Sequence, residues 1–230
     1  MFGVSPSGPI GKRIFVLSPA RANGKRATFL VGPGARCDLA IRLRTQSGIA
    51  LGEVFSFLSG LYFRGKLTYA RAFGRPPDGS PGAYVITPHR GLMSVEALIT
   101  LEELRAFSRV DIDLADDRYR LPLQRDARRL ATEIPAECEV VLLGSISTPK
   151  YTDVLLEVFG GRLRFPAEFV GRGDMSRGGL MLRCVSEARE LEYLPVLGSV
   201  RRGKRPVKLQ PRAADPTLAA PFDRHGNRPG

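Results

Sequence analysis

The sequence predicts an α/β protein with a mostly parallel central sheet, helices on both faces and a β-hairpin near the C-terminus. Two observations carry this. Apolar runs at Ile14–Leu17, in AYVITP from position 83 and in EVVLLGSI from position 139 are each closed by small or turn-forming residues, the pattern of strands buried on both faces. Between them lie segments whose apolar residues recur at helical spacing, so strands and helices alternate.

Each element follows from local chemistry. Residues 1–12, rich in Gly, Pro and Ser, are expected to form a flexible lead-in to a single domain over 13–200. RIFVLSPAR supplies the first strand, and ATFLVGPG is open between a short strand and a loop. In ARCDLAIRLRTQ, Leu39, Ala40 and Leu43 predict a helix ended by Gly48. GEVFSFLSGLYFRGKLTYARAFG predicts two helices broken at Ser59-Gly60. The second has Leu61, Tyr62, Leu67, Tyr69, Ala70 and Phe73 on its apolar face, with Lys66 outside it. Thr100 and Glu103 form a capping box that starts a helix running to about Ser108. DIDLADDRY is expected to be a solvated acidic loop, and LPLQRDARRLATEIP an amphipathic helix ended by Pro135. Pro149 suits the first position of a helix over PKYTDVLLEVFG. GRLRFP is a short strand. LMLRCV and LEYLPV are expected to pair as a hairpin around SEARE; a helix from Asp174 is the rival, disfavoured by Gly178-Gly179.

Charge narrows the function. The chain carries +12 in 230 residues, with a pI near 10.2. Residues 201–230 hold eight Lys/Arg and two Asp, a net +6, so the preceding 200 residues also carry +6. A basic body with a basic, proline-rich, disordered tail is expected to attract polyanions. No apolar run reaches 18 residues and the N-terminus has no long apolar segment, so neither a membrane span nor a signal peptide is expected. Three widely spaced cysteines (Cys37, Cys138, Cys184) and two histidines (His89, His225) predict free thiols, a cytoplasmic location and no metal site; no cofactor is expected.

In open α/β sheets, ligands sit outside the carboxyl ends of the strands. The strand-end loops SPAR, PHRGLM and GSISTPKY should therefore converge, joined by the glycine-rich VGRGDMSRGG. The candidate anion or nucleic-acid contacts are Ser18, Arg21, Lys25, His89, Arg90, Ser145, Lys150, Tyr151, Arg172, Ser176 and Arg177, with Arg201, Arg202, Lys204, Arg205 and Lys208 from the tail. Gly171 and Gly173 would turn the backbone so that Arg172 and Arg177 face one anion, and Gly178-Gly179 would admit the SPAR loop. Ser18 could be a nucleophile, but no His or Asp partner can be assigned to it, and a strand-end turn serine is the plainer reading.

These loops, in this order, resemble the YaaA family of peroxide-stress proteins. LSPAR is similar to that family's Ser-Pro-Ala-Lys start, SGLYFRGKL to its Tyr-Thr-Gly-Leu region, VVLLGSISTPKY to its strand, small-residue loop and Tyr, and VGRGDMSRGGL to its Ala-Arg-Gly-x-Met-Ser-Arg segment. The resemblance implies an α/β fold with a positively charged cleft, DNA binding and a role in limiting oxidative damage. It would place Ser18, Pro19, Ala20 and Arg21 on one wall, Tyr151 on a second, and Arg172, Met175, Ser176 and Arg177 on a third. Arg21 stands where the family has lysine, and there is no room between SPAR and SGLYF for the family's helical insertion. The expected partner is nucleic acid, DNA before RNA, or a nucleotide. The alternative is an enzyme acting on a nucleoside or nucleobase by glycosidic-bond or transferase chemistry, and a third option is a scaffold whose tail binds an acidic partner.

Overall fold

The structure is a computed structural model that describes residues 11–45, 48–201, 203–204 and 206–207. Strand β1 (Arg13–Leu17) is buried along its whole length. It is followed by helices α1 (Lys25–Val31) and α2 (Asp38–Thr45), the short strand β2 (Ile49–Ala50), and helices α3 (Leu51–Ser59) and α4 (Leu61–Phe73). Gly60, at φ +62°, makes the break between α3 and α4. Next come β3 (Ala83–Ile86), β4 (Leu92–Ser94), β5 (Leu98–Ile99), α5 (Leu101–Phe107) and α6 (Asp117–Glu133). The capping box forms as expected at the start of α5: Thr100 accepts from the Glu103 amide while Glu103 accepts from the Thr100 amide. The chain continues through β6 (Glu139–Leu143), α7 (Pro149–Phe159, with Pro149 in its first turn), β7 (Leu163–Pro166), α8 (Asp174–Ser186) and β8 (Tyr193–Pro195).

The main sheet has the order β4-β3-β1-β6-β7-β8. Its four inner strands are parallel and its two edge strands antiparallel, while β2 and β5 form a small separate pair. Alternate residues of the inner strands point to opposite faces. Phe15, Leu17, Val85, Val141 and Leu143 join a core with Phe55, Phe63, Tyr69 and Met181 from α3, α4 and α8. Ile14, Val16, Ile86, Val140 and Leu142 join a second core with Tyr119, Leu123, Leu155 and Phe159 from α6 and α7. Helices therefore cover both faces.

Three expectations need correction. Residues 25–31 are helical rather than strand or loop; Ala27 and Leu30 provide a buried face only two positions wide, too short a period to read. The acidic segment is not wholly a solvated loop, because Asp116 caps α6 by accepting from the Arg118 amide and Asp117 opens the helix. The predicted hairpin is also absent: LMLRCV lies inside α8, and β8 pairs antiparallel with β7 instead. The glycines that argued against α8 are explained by packing. A Cβ on Gly178 would lie 2.8 Å from the Leu61 carbonyl oxygen and 2.9 Å from the Tyr62 Cα, and one on Gly65 would lie 2.7 Å from the Gly178 carbonyl oxygen. The backbones of α4 and α8 touch, so Gly178 admits α4 and not the SPAR loop.

Candidate functional site

The chain order around β1 sets the place of the site. From β1 the chain passes to β3 on one side, then returns across it to β6 on the other, so the loops leaving β1 and β6 diverge. That divergence opens a crevice at the carboxyl ends of the two strands. A cavity of about 610 Å³ lies there, lined by Ser18 through Asn23 after β1, by Ser145, Lys150 and Tyr151 after β6, and by Ser59, Tyr62, Asp111, Asp113 and Asp174.

Ser18 is held at the floor. Its amide donates to the Leu143 carbonyl at 3.1 Å, continuing the β1–β6 ladder one residue past the strand. Beneath it comes Lys66 of α4, 1% exposed. Its side-chain nitrogen lies 2.9 Å from Ser18 Oγ and 2.6 Å from the Ser18 carbonyl oxygen. The same nitrogen sits 4.4 Å and 4.8 Å from the centroids of the Tyr62 and Phe63 rings. No ion pair engages Lys66 among the described residues; Asp174 and Arg177 of α8 act on it only at longer range and with opposite signs. Burial dominates and brings the Lys66 pKa down to about 7, because desolvation disfavours the charged amine.

Tyr151, from the first turn of α7, completes the cluster. Its oxygen accepts from the Ser145 amide at 3.1 Å, and it stands beside Ser18 over Gly144. Burial raises the Tyr151 pKa, so the phenol keeps its proton. The room for this arrangement depends on Gly144, where a Cβ would stand 2.9 Å from Ser18 Cβ and 3.1 Å from Tyr151 Oη. Tyr62, also buried, lines the cavity beside them; burial is the largest influence on its phenol and raises its pKa as well.

The crevice thus gathers five of the residues singled out from the sequence: Ser18, Arg21, Ser145, Lys150 and Tyr151. The others lie elsewhere. Lys25 opens α1 away from the lining. His89 and Arg90 border a separate depression with Arg125, Asp126 and Arg129; the His89 ring packs edge-on against Phe107 at 5.1 Å, and Arg90 pairs with Glu103. Burial, the largest influence, lowers the His89 pKa. The glycine-rich segment does not present its guanidiniums to an anion. Arg177 is buried and donates twice to the Phe169 carbonyl, at 3.0 and 3.2 Å, while Arg172 donates to the Glu168 carbonyl and to Ser176 Oγ. These groups already have acceptors, and they fasten the start of α8. Of the tail residues, Arg201 pairs with Asp153 and Lys204 is exposed; Arg202, Arg205 and Lys208 fall outside the described residues.

The sequence singles out neither Lys66 nor Asn23, and it offers Asp111 and Asp113, with Asp116 and Asp117, as a carboxylate cluster only to favour a solvated acidic loop. A lysine beside two aromatic residues reads as solvated until the fold buries it. Asp111 accepts from the Asn23 side chain at 3.4 Å and lines the crevice with Asp113 and Asp174. The lining therefore mixes two cations, Arg21 and Lys150, with three carboxylates, of which Asp174 is paired with the Arg177 guanidinium at 3.4 Å. Among the described residues, no group of three or more His, Cys, Asp and Glu side chains could hold a metal ion, and Cys37, Cys138 and Cys184 are free thiols. No helix is long and apolar enough to cross a membrane among those residues. Compared with known proteins, the chain matches no family model, no curated protein and no solved structure.

Proposed function

We propose that the protein is an enzyme acting on a small, polar, nucleoside-sized unit held in the crevice beside Ser18. One observation carries this: a cavity of about 610 Å³ with mixed charge stands at the switch point of the sheet. Its volume falls in the range of small-molecule sites, roughly 300–1,000 Å³. Asp111, Asp113 and Asp174 offer acceptors for hydroxyls and amino groups, and Arg21 and Lys150 offer a place for one phosphate or carbonyl.

Isothermal titration with nucleosides, mononucleotides and a 20-mer duplex tests this. Saturable one-to-one binding of a nucleoside or mononucleotide, weakened tenfold or more by Asp174→Asn or Tyr62→Phe, is the expected result. Binding of the duplex alone would overturn it.

A second reading, nucleic-acid binding in the cytoplasm as the YaaA-like motifs imply, draws support from the charge of +12 and from residues 201–212, which hold six cations and no acid. Removing residues 201–230 should then weaken duplex binding and flatten its salt dependence, by about 0.9 in log–log slope for each phosphate the tail had neutralised. An unchanged slope would mean that the tail plays no part in binding.

A further inference from the structure

We infer that Ser18 is the nucleophile of an acyl-transfer or ester-hydrolysis reaction and that Lys66 is its general base, with Tyr151 as a positioning residue. This deepens the proposed function by naming the reaction, and it rests on that reading only for the size and polarity of the substrate.

The geometry supplies each part. Ser18 lines the cavity, and its Oγ stands 2.9 Å from Lys66 Nζ, within proton-transfer distance. The second Lys66 contact, to the Ser18 carbonyl at 2.6 Å, fixes one amine proton and leaves the lone pair of a neutral amine free to turn toward Oγ. Tyr151 Oη accepts from the Ser145 amide and stands with Ser18 Oγ over Gly144, which fixes that wall of the site. At 2.9 Å, a neutral Lys66 amine is placed to accept the Ser18 proton. The charged groups that act on Lys66 are Asp174 and Arg177 of α8, and they oppose one another. Burial, the dominant influence, leaves the amine partly neutral at neutral pH. A charged lysine paired to a carboxylate could not serve as a base in this way.

The substrate class is a carboxylic ester on a polar unit, matched to a lining that mixes hydroxyls, carboxylates and two cations. In the first half-reaction Ser18 Oγ bonds to the carbonyl carbon and its proton passes to Lys66 Nζ. The carbon–oxygen bond to the leaving alcohol breaks, and that alcohol takes the proton from Lys66. In the second, water adds to the acyl-serine, gives a proton to Lys66, and Ser18 leaves and recovers it. The acid is released and both side chains are restored.

A fluorophosphonate probe tests the pair on the full chain, whatever the natural substrate. Intact mass and peptide mapping should show one adduct, on Ser18, absent in Ser18→Ala. The labelling rate should rise roughly thirtyfold between pH 5.5 and 8.5, the change in neutral fraction of an amine titrating near 7. Lys66→Met should lower the rate by about a hundredfold or more, and Lys66→Arg, which keeps a cation but cannot act as base, should lower it similarly. The wild-type pH profile decides the matter if either variant fails to fold. No adduct at Ser18 at any pH, or an adduct whose rate ignores both pH and Lys66, would overturn the inference. Saturating nucleoside in the same reaction separates the two proposals. Labelling that nucleosides do not slow leaves the dyad standing and sinks the nucleoside reading, whereas nucleoside binding without labelling does the reverse.

Discussion

Two buried cations mark the two ends of one sheet. At the amino end, Arg13 opens β1 with its guanidinium among carboxylates: Glu139 at 2.8 Å, and Glu190, which also holds Arg75 at 2.7 Å. Arg164 reaches the other oxygen of Glu139 at 2.8 Å, and the Tyr193 ring lies 4.5 Å from the Arg13 guanidinium carbon. At the carboxyl end, Lys66 meets a hydroxyl, a carbonyl and two ring faces, with no ion-pair partner among the described residues. A buried charge that is paired stays charged and ties strands together. An unpaired lysine gives up its proton near neutrality, because the amine can neutralise where a guanidinium cannot. The amino end reads as structural and the carboxyl end as reactive.

The largest expected effect breaks the structural end. Arg13→Met leaves Glu139 and Glu190 short of a partner and should cost about 3–5 kcal/mol in denaturant unfolding, while the residual folded protein still labels at Ser18. Loss of labelling from the folded fraction would show that the two ends are not separable.

Next is the sign of a pH effect. Lys66 has a folded pKa near 7 against an ordinary 10.5, so the unfolded chain binds more protons between those values. Its contribution to stability is full above about pH 10.5, declines as pH falls toward 7, and is constant below. The stability of Lys66→Met relative to the parent should therefore rise by on the order of 3 kcal/mol as pH drops from about 10 to about 7, read by chemical unfolding at each pH. A flat difference would mean that Lys66 titrates normally.

Gly178→Val sharpens the role of the α4–α8 contact. Its side chain meets the backbone of Leu61 and Tyr62, which cannot yield as a flexible side chain would, so a loss of about 1–3 kcal/mol is expected. Ser18 labelling should fall with it, because α4 carries Lys66. The smallest effect concerns Arg177→Ala, which strips donors from the Phe169 carbonyl and should cost about 1–2 kcal/mol, with ligand affinity shifting by less than about tenfold through its partner Asp174. A tenfold affinity loss at unchanged melting temperature would restore the anion-binding role that the sequence suggested.

The legible parts of the molecule are those whose signal is local. β1, β3 and β6 announce themselves as apolar runs, Thr100 and Glu103 as a capping box, and Pro149 as a helix start. The strand-end rule found the crevice through Ser18, Arg21, Ser145, Lys150 and Tyr151. What stayed hidden depends on residues far apart in the chain. Gly178 weakens α8 by intrinsic preference but is required by the backbone of α4 more than 100 positions away, and packing wins. Lys66 shows nothing of its partner in its own neighbourhood, since Ser18 lies 48 residues earlier. The glycine-rich segment misled because exposed guanidiniums and guanidiniums donating to carbonyls look alike in sequence.

The protonation of Lys66 is the most direct test of the reactive end. Carbon-13 label at lysine Cε, followed by NMR from about pH 5 to about pH 11, with the resonance assigned by its absence in Lys66→Met, reads it without any substrate. A titration midpoint near 7 is predicted, displaced below those of the other lysines. A midpoint above about 10 would mean that Lys66 is an ordinary ammonium bracing a strand end, and Ser18 would have no base.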